Sequence, residues 1–545
     1  MDGNLIQNVS DAVGGEVFIG GLDSRTQVML FTVLAAYILV ILGIGWWSCK
    51  KVQDVGDYLV AGRRLGMWMA TGTLLATWFG AGSSMGVAAQ IYSRDGGGLS
   101  GIIADPFGAS ISLILAGIFI VGLLRKKKCL TVTDIIERRF GAAAGIYASI
   151  WMLPVYIGWL GAQIIGMGTI LYVITGISIW WGILVGACVI LVYTFAGGMW
   201  AVTLTDIVQV SVIVVGLCLL VPQAVSMAGG WDAVFADVPA SDLTIFPASS
   251  GMEDFTYRCG QWIVMGLGCM VGQDLIQRSL ASRNPNIAIS SSVLSGFFYM
   301  ALAVVPITIG FAARVVFAKY GITEEVLGDN LENQVLPRMA ILGLSNIHPI
   351  IMTVFIAALI SAIMSSADSS LLAASSLLSN NIIKPLCKRI TNDHLLTMTR
   401  FASVVLIVIS AWLAMEVKSI YSLMINSWSS QLVVVFLPVI AALYFKRVSR
   451  YCVWACMVIS PVVWIGYTMT RAAGYGLPLS EVLSCERLDY DITVGAVYGF
   501  AAGVVAFLCA WLGETITGNG GEGDAGNHRG RRPRKREYSS GAADA

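Results

Sequence analysis

At 545 residues, 57% hydrophobic and 12% charged, with mean hydropathy +0.77, the chain is too apolar for a soluble domain, since soluble domains carry about a quarter charged residues. The composition reads as an all-α polytopic membrane protein that meets the lipid bilayer along most of its length. A net charge of +1 points to no partner, and nothing in it calls for nucleic acid.

In chain order, thirteen stretches have the length a bilayer requires, ~20 residues each. The first 24 residues are polar and lack a basic segment ahead of an apolar core, so no cleaved signal peptide is expected, and 1–26 reads as an N-terminal segment before the first span. They carry the glycosylation sequon Asn8-Val9-Ser10, relevant only in a eukaryote. A leading span covers 27–47. Ten more are predicted at 67–92, 100–124, 142–172, 178–196, 205–224, 260–276, 286–316, 348–380, 396–415 and 418–445. Two trail at 451–470 and 493–513, and a Gly-rich, then basic tail fills 514–545, where disorder is expected.

Basic residues crowd into alternate loops. Lys50, Lys51, Arg63 and Arg64 follow the leading span, Arg125 to Lys128 the third, Lys384, Lys388 and Arg389 the ninth, and Lys446, Arg447 and Arg450 the eleventh. The positive-inside rule makes that side cytoplasmic, which places the C-terminus inside and the N-terminus outside. The expected location is the cell (plasma) membrane. The loop 225–259 is then extracellular, as are 317–347 and 471–492, with acids such as Asp232, Asp237, Asp242, Glu324, Glu325 and Asp329. Cys259 and Cys485 both fall in these outer loops and are candidates for pairing, although nothing in the sequence brings them together.

The most unusual stretch is 361–380, SAIMSSADSSLLAASSLLSN, which prolongs an apolar run. Hydroxyls and a carboxylate at membrane depth are costly unless they line a cavity or hold an ion. Ser361, Ser365 and Ser369 recur every four residues and share a helix face, flanked by Ser366 and Ser370. Neutral hard oxygens suit a weakly held monovalent cation. Serines also let helices pack closely, which is the plainer explanation.

Two spans are interrupted. The second contains Gly80, Ala81, Gly82, Ser83 and Ser84, and the seventh contains Gly266, Gly268 and Gly272. Glycine weakens a helix interior and permits unwound backbone. These are the first and sixth of the ten spans after the leading one. Such a matched pair marks an inverted repeat, 67–224 against 260–445, with binding sites at the midplane. Close packing through glycine is the alternative for either segment alone.

Three stretches carry a resemblance. They are Ala76-Thr77-Trp78-Phe79-Gly80, the run Gly197-Gly198-Met199-Trp200-Ala201-Val202 leading into Thr205-Asp206-Ile207-Val208-Gln209, and the serine helix SAIMSSADSSLLAASS. Together they resemble the sodium:solute symporter family over about 30–445, and within it the high-affinity choline transporter branch, to which SLILAG at 112–117 and MSSADSS at 364–370 are also similar. The resemblance implies a 5+5 core of the leucine-transporter type and sodium-coupled symport of a small-molecule substrate, with sodium as the co-transported ion and no organic cofactor. It implies a sodium site built from the carbonyls of Ala76, Phe79 and Ala362 and the hydroxyls of Ser365 and Ser366. Asp206 matches the family's buried acid and, with Ser369, a further sodium site in some members; read locally, Asp206 is equally a helix cap.

Quaternary ammonium groups are recognised by aromatic faces. The resemblance assigns Trp78 and Trp159 to such a cage, while Ala109 and Gly272 stand where the choline branch has aromatics. The chain adds charge instead. Asp105 and Asp274 are intramembrane carboxylates and are candidates to pair with a cationic amine. Asp105 before Pro106 also fits a helix N-cap, and Asp274 a salt bridge to Arg278 four residues on. Gln163 and Gln273 either bind substrate or hold helices together. A neutral or anionic cargo, or a sensor that no longer transports, remains the alternative. An enzyme would need a nucleophile–base pair or a metal cluster, and the three histidines, His348, His394 and His528, neighbour no cysteine cluster.

Overall fold

The computed structural model describes residues 24–49, 55–93, 97–246, 251–323, 331–344, 349–387, 392–417, 419–476 and 486–516. The sequon, Cys485, the acids Glu324, Glu325 and Asp329, the basic residues Lys50, Lys51, Lys388 and Arg389, and the basic tail lie outside them. Among the described residues the secondary structure is helical, apart from an isolated bridge between Leu65 and Ser282. There Leu65 N–H donates to the Ala281 carbonyl at 3.0 Å and Arg283 N–H to the Leu65 carbonyl at 2.8 Å. The bridge ties the entry of the first interrupted helix to the exit of the second.

Ten helices among the described residues are long and apolar enough to cross a bilayer, against the thirteen expected. The shortfall has a physical cause. The expected span 67–92 is split into Met67–Trp78, a wide turn at Gly82–Gly86 and Val87–Tyr92. The expected span 260–276 begins earlier, as Met252–Gly266, passes through Gly268–Val271 and resumes as Gln273–Ala281. Cys259 therefore lies within a helix rather than in the loop expected at 225–259. The expected span 178–196 is a shorter apolar helix, Ile179–Val192. It runs towards Gly198, whose φ of 57° and ψ of −161° break the helical path before Gly198–Ala228 continues. A Cβ on Gly198 would come within 2.5 Å of the Tyr58 ring, so both the dihedral and the space call for glycine there.

The serine helix Pro349–Ser376 is central. It packs against Ala142–Thr175 and the helices between Ile179 and Ala228. In the spans Ile350–Leu386 and Ala142–Thr175, 83% of the most apolar window is buried, against 33% in Arg450–Ala473 and 39% in Arg487–Ile516. The last two pair chiefly with each other at the rim. Tryptophans such as Trp68, Trp180, Trp181 and Trp412 are exposed on the outer surface, as expected for lipid contact. The leading helix Ser24–Cys49 reaches the core through Tyr37, whose hydroxyl meets Ser361 Oγ at 2.5 Å and accepts from Gln209 Nε2 at 3.1 Å.

Candidate cation and substrate site

The first interruption starts where Met67–Trp78 gives way to Phe79, at φ −90° and ψ 73°. Unwinding leaves backbone groups needing partners in a dry interior, and side chains supply several. Gln163 Oε1 accepts from Ala81 N–H at 2.8 Å, Ser84 Oγ donates to the Gly80 carbonyl at 2.7 Å, and Ser83 Oγ to the Trp78 carbonyl at 2.9 Å. The serine helix meets this segment directly, because Ser366 Oγ donates to the Thr77 carbonyl at 2.6 Å. Gly80 permits that approach. A Cβ there would overlap Ser366 Oγ and lie 2.6 Å from Gln163 Oε1. Ala76 and Phe79 flank Thr77, and Ala362 precedes Ser366 by one turn; all three are buried.

A polar cluster adjoins this contact. Asp206 is fully buried inside a continuing helix, not at its start, so it does not cap it. Its Oδ1 accepts from Ser365 Oγ at 2.5 Å, its Oδ2 accepts from Thr73 Oγ1, and Arg278 Nη2 lies 3.9 Å from Oδ2. Ser369 Oγ accepts from Arg278 Nη2, meets Thr77 Oγ1 at 3.1 Å and Asp368 Oδ1 at 3.0 Å. The structure thus brings Ser365, Ser366, Ser369 and Asp206 together beside the first interruption.

The second interruption presents different chemistry. Helix Gln273–Ala281 starts after Gly272, and the Tyr156 hydroxyl lies 2.5 Å from Gln273 N and 3.3 Å from Asp274 N. Asp274 Oδ2 accepts from Trp78 Nε1 at 2.6 Å and Oδ1 from the Tyr156 hydroxyl at 3.1 Å. Its local partner Arg278 donates to the Asp274 backbone carbonyl at 3.3 Å and points its far end at Asp206 and Ser369. A Cβ on Gly272 would lie 2.8 Å from Asp274 Oδ1, so an aromatic side chain there would have to displace the carboxylate.

Trp78 and Trp159 do not meet face to face. Both pack on Trp428, with ring centroids 6.1 and 5.4 Å away, and Tyr156 lies 6.2 Å from Trp428 and 6.3 Å from Trp159. These four aromatic side chains are buried together with the Asp274 carboxylate. Trp428 Nε1 and Gln163 Nε2 are buried donors that have no hydrogen-bond partner among the described groups. Asp105 is joined to Trp78 through Ser83 and Tyr299, whose hydroxyls also reach the Trp78 carbonyl at 2.9 and 3.3 Å. Its Oδ1 accepts from the Tyr299 hydroxyl at 2.5 Å and its Oδ2 from Ser83 Oγ at 2.7 Å, and the Tyr299 ring packs edge-on against Trp78 at 6.4 Å. Its carboxylate makes those bonds instead of capping a helix.

Gln273 is oriented away from the cage. Its Oε1 accepts from Val132 N–H at 2.8 Å, and its Nε2 donates to Ser376 Oγ at 3.3 Å and Gln277 Oε1 at 3.4 Å, so it holds helices together. Sequence reasoning missed Trp428, Tyr156 and Tyr299, which sit in apolar runs where an aromatic reads as ordinary core. It took Arg278 only as a neighbour of Asp274. No group of three or more His, Cys, Asp or Glu is arranged for a metal ion among the described residues.

Comparison with known proteins places this geometry. The family model described as the sodium:solute symporter family matches residues 58–459. The human high affinity choline transporter 1 is 27% identical over 437 residues, 77% of this chain and 73% of that protein. The sodium/glucose cotransporter of Vibrio parahaemolyticus is 27% identical, over 72% of this chain and 75% of that protein. Among solved structures, a Na+-coupled sialic acid symporter in a substrate-bound outward-open state superimposes with a TM-score of 0.70 at 19% identity, covering 88% of this chain and 97% of that one. The fold is therefore that of the leucine-transporter type, and the molecule is a multi-pass membrane protein. The chain belongs to the sodium:solute symporter family and is a secondary transporter, not an enzyme.

Proposed function

We propose that the chain imports a small cationic amine, choline-like in chemistry, together with sodium. The observation that carries this reading is a charge imbalance beside aromatic faces. Among the described residues, four buried carboxylates, Asp105, Asp206, Asp274 and Asp368, lie around the two interruptions against two buried guanidiniums, Arg278 and Arg338, the latter on Leu331–Leu344, which packs on Gly82–Gly86. A buried carboxylate is costly unless it is protonated or meets a cation, and a transported cation is one such partner. Trp78, Tyr156, Trp159 and Trp428 offer the π faces that hold a desolvated ammonium, each such contact contributing up to ~2 kcal/mol. The human and Drosophila relatives named as high-affinity choline transporters support the same cargo class.

In this scheme sodium binds the carbonyls of Ala76, Phe79 and Ala362 and the hydroxyls of Ser365 and Ser366. Asp206 with Ser369 forms a further cation position. The cargo lies among Trp78, Trp159, Trp428 and Tyr156, with Asp274 and Asp105 supplying negative charge and Gln163 a hydrogen-bond donor. Sodium joins the unwound segment to the serine helix and so favours the outward-open state. Cargo binds, the outer side closes, and the helix pairs rock inward. With the basic loops and C-terminus in the cytoplasm and the N-terminus outside the plasma membrane, each sodium entering down 100 mV contributes ~2.3 kcal/mol.

The unpartnered donors of Trp428 and Gln163 favour a cargo that also carries an oxygen acceptor. A zwitterionic amino acid is thus the second reading, in keeping with the 24% identity to the osmoregulated proline transporter OpuE of Bacillus subtilis. The test is a thermal-shift panel on the purified protein in sodium against potassium, with choline, a polyamine, proline, a dicarboxylate and glucose. Stabilisation by choline in sodium is the expected result. Stabilisation by the dicarboxylate or glucose alone removes the amine reading, and by proline alone moves it to zwitterions.

A further inference from the structure

Among the described residues Arg278 is the largest fully buried side chain, 1% exposed, and the transport scheme leaves it without a task. It spans the two sites. At one end Nη2 donates to Ser369 Oγ and lies 3.9 Å from Asp206 Oδ2, while Nε donates to Thr73 Oγ1 at 3.2 Å. At the other, Nη1 donates to the Asp274 carbonyl at 3.3 Å. Asp274 is the residue whose carboxylate orients Trp78 and Tyr156. A guanidinium is a planar fork of five donors that can fix several acceptors at once.

The acceptors it holds at Asp206 and Ser369 are oxygens that a sodium ion would also use. Two cations cannot share them cheaply, because like charges a few ångströms apart repel strongly in a dry interior. A sodium ion arriving at Asp206, Ser365 and Ser369 therefore competes with the guanidinium, and a second carboxylate, Asp274, stands on the same helix four residues before Arg278. An element with two alternative anionic partners, each belonging to a different site, is what physical coupling between sites requires.

We propose that Arg278 transmits cation occupancy to the aromatic cage: sodium displaces the guanidinium from Asp206 and Ser369 towards Asp274, and the shift resets Trp78 and Tyr156 for the cargo. This rests on the sodium and amine sites proposed above. Arg278 is a positioning residue in this account and touches neither transported species.

The test uses the full-length protein in nanodiscs. Binding of radiolabelled choline is measured in sodium and in potassium, with radiolabelled L-proline in its place if choline does not bind. Sodium binding alone is followed by thermal shift. In the wild type sodium should tighten cargo binding by about 5–150-fold. In Arg278→Gln, losing the competing cation should make sodium bind about tenfold tighter while its benefit to the cargo falls below about twofold, a split that no uniform loss of structure produces. Arg278→Lys keeps the charge and folds without an unpaired Asp206, but an ammonium is a point donor that does not span both ends. It should bind sodium within about threefold of wild type and still lose the benefit. Sodium binding in Arg278→Gln that is unchanged or weaker overturns the proposal, as does a wild-type sodium benefit retained in either variant. If proline shows this behaviour and choline does not bind, the amine reading falls and the coupling stands. If sodium tightens neither cargo in the wild type, the coupling falls.

Discussion

The two interrupted helices occupy matching places in the chain, yet their surroundings differ. On the side that faces the serine helix the first is closed by small groups and hydroxyls: Gly80 sits against Ser366 and Gln163, and the Thr77 carbonyl accepts from Ser366, while Trp78 and Ser83 on the same segment meet Tyr299 and Asp105. The second is met by the phenol of Tyr156 and carries a carboxylate and a guanidinium four residues apart, Asp274 and Arg278. One topology thus supplies two kinds of site. In the proposed scheme the backbone facing hydroxyls holds the small hard cation, and the aromatics with the Asp274 carboxylate hold the soft organic one.

The largest effect should come from crowding the first interruption. Gly80→Val forces a side chain into Ser366 and Gln163, and uptake by cells expressing the variant at normal surface levels should fall to background. Gly266→Ala, beside the second interruption, meets nothing within 4 Å and should retain most uptake. Equal losses would show that uptake does not depend on the close approach of Ser366 and Gln163 to Gly80.

Next in size is the pair Ser365→Ala with Ser366→Ala. Removing two hydroxyls from the cation side should cost at least about tenfold in uptake at ordinary sodium, roughly 1.4 kcal/mol. Raising sodium should recover part of it. Sodium dependence identical to wild type would remove these serines from ion binding.

A smaller change is expected for Asp274→Asn. The amide still accepts from Trp78 or Tyr156 but loses its charge, so choline affinity should fall about tenfold, the scale of one charge-assisted contact. Its sodium midpoint in the absence of cargo should rise, because the guanidinium that sodium displaces from Asp206 no longer has a second carboxylate to move to. Asp105→Asn should cost less, because Asp105 reaches the cage only through Tyr299 and Ser83. The smallest effect belongs to Trp428→Phe, which keeps an aromatic face and removes the unpartnered N–H. About a threefold loss is expected for choline, and a larger one for proline if its carboxylate uses that donor.

Much of this was legible in the chain. The Gly-rich interruptions and the serine helix stand out because each violates the apolar pattern of a membrane span. The number of continuous spans was not legible in the same way. Hydropathy is indifferent to a break in the backbone, so the two segments read as interrupted and the short helix ahead of Gly198 enter the count of thirteen although none of the three is one long continuous helix. The cage was half legible. Trp78 and Trp159 came from the family resemblance, whereas Trp428, Tyr156 and Tyr299 sit in apolar helices where an aromatic carries no local signal. Arg278 shows a different limit. Spacing of four residues correctly puts it on the face of Asp274, but a long side chain chooses its partner from across the fold, and Asp206 is supplied by another helix.

The central claim is that sodium at the hydroxyl-lined interruption drives cargo held at the aromatic one. The direct measurement is uptake of radiolabelled choline into proteoliposomes holding the purified protein, with an inward sodium gradient against equimolar potassium. Accumulation above the external concentration under the sodium gradient, collapsing when the gradient is dissipated, is the predicted result. Equal uptake in sodium and potassium, or equilibration without accumulation, would contradict it.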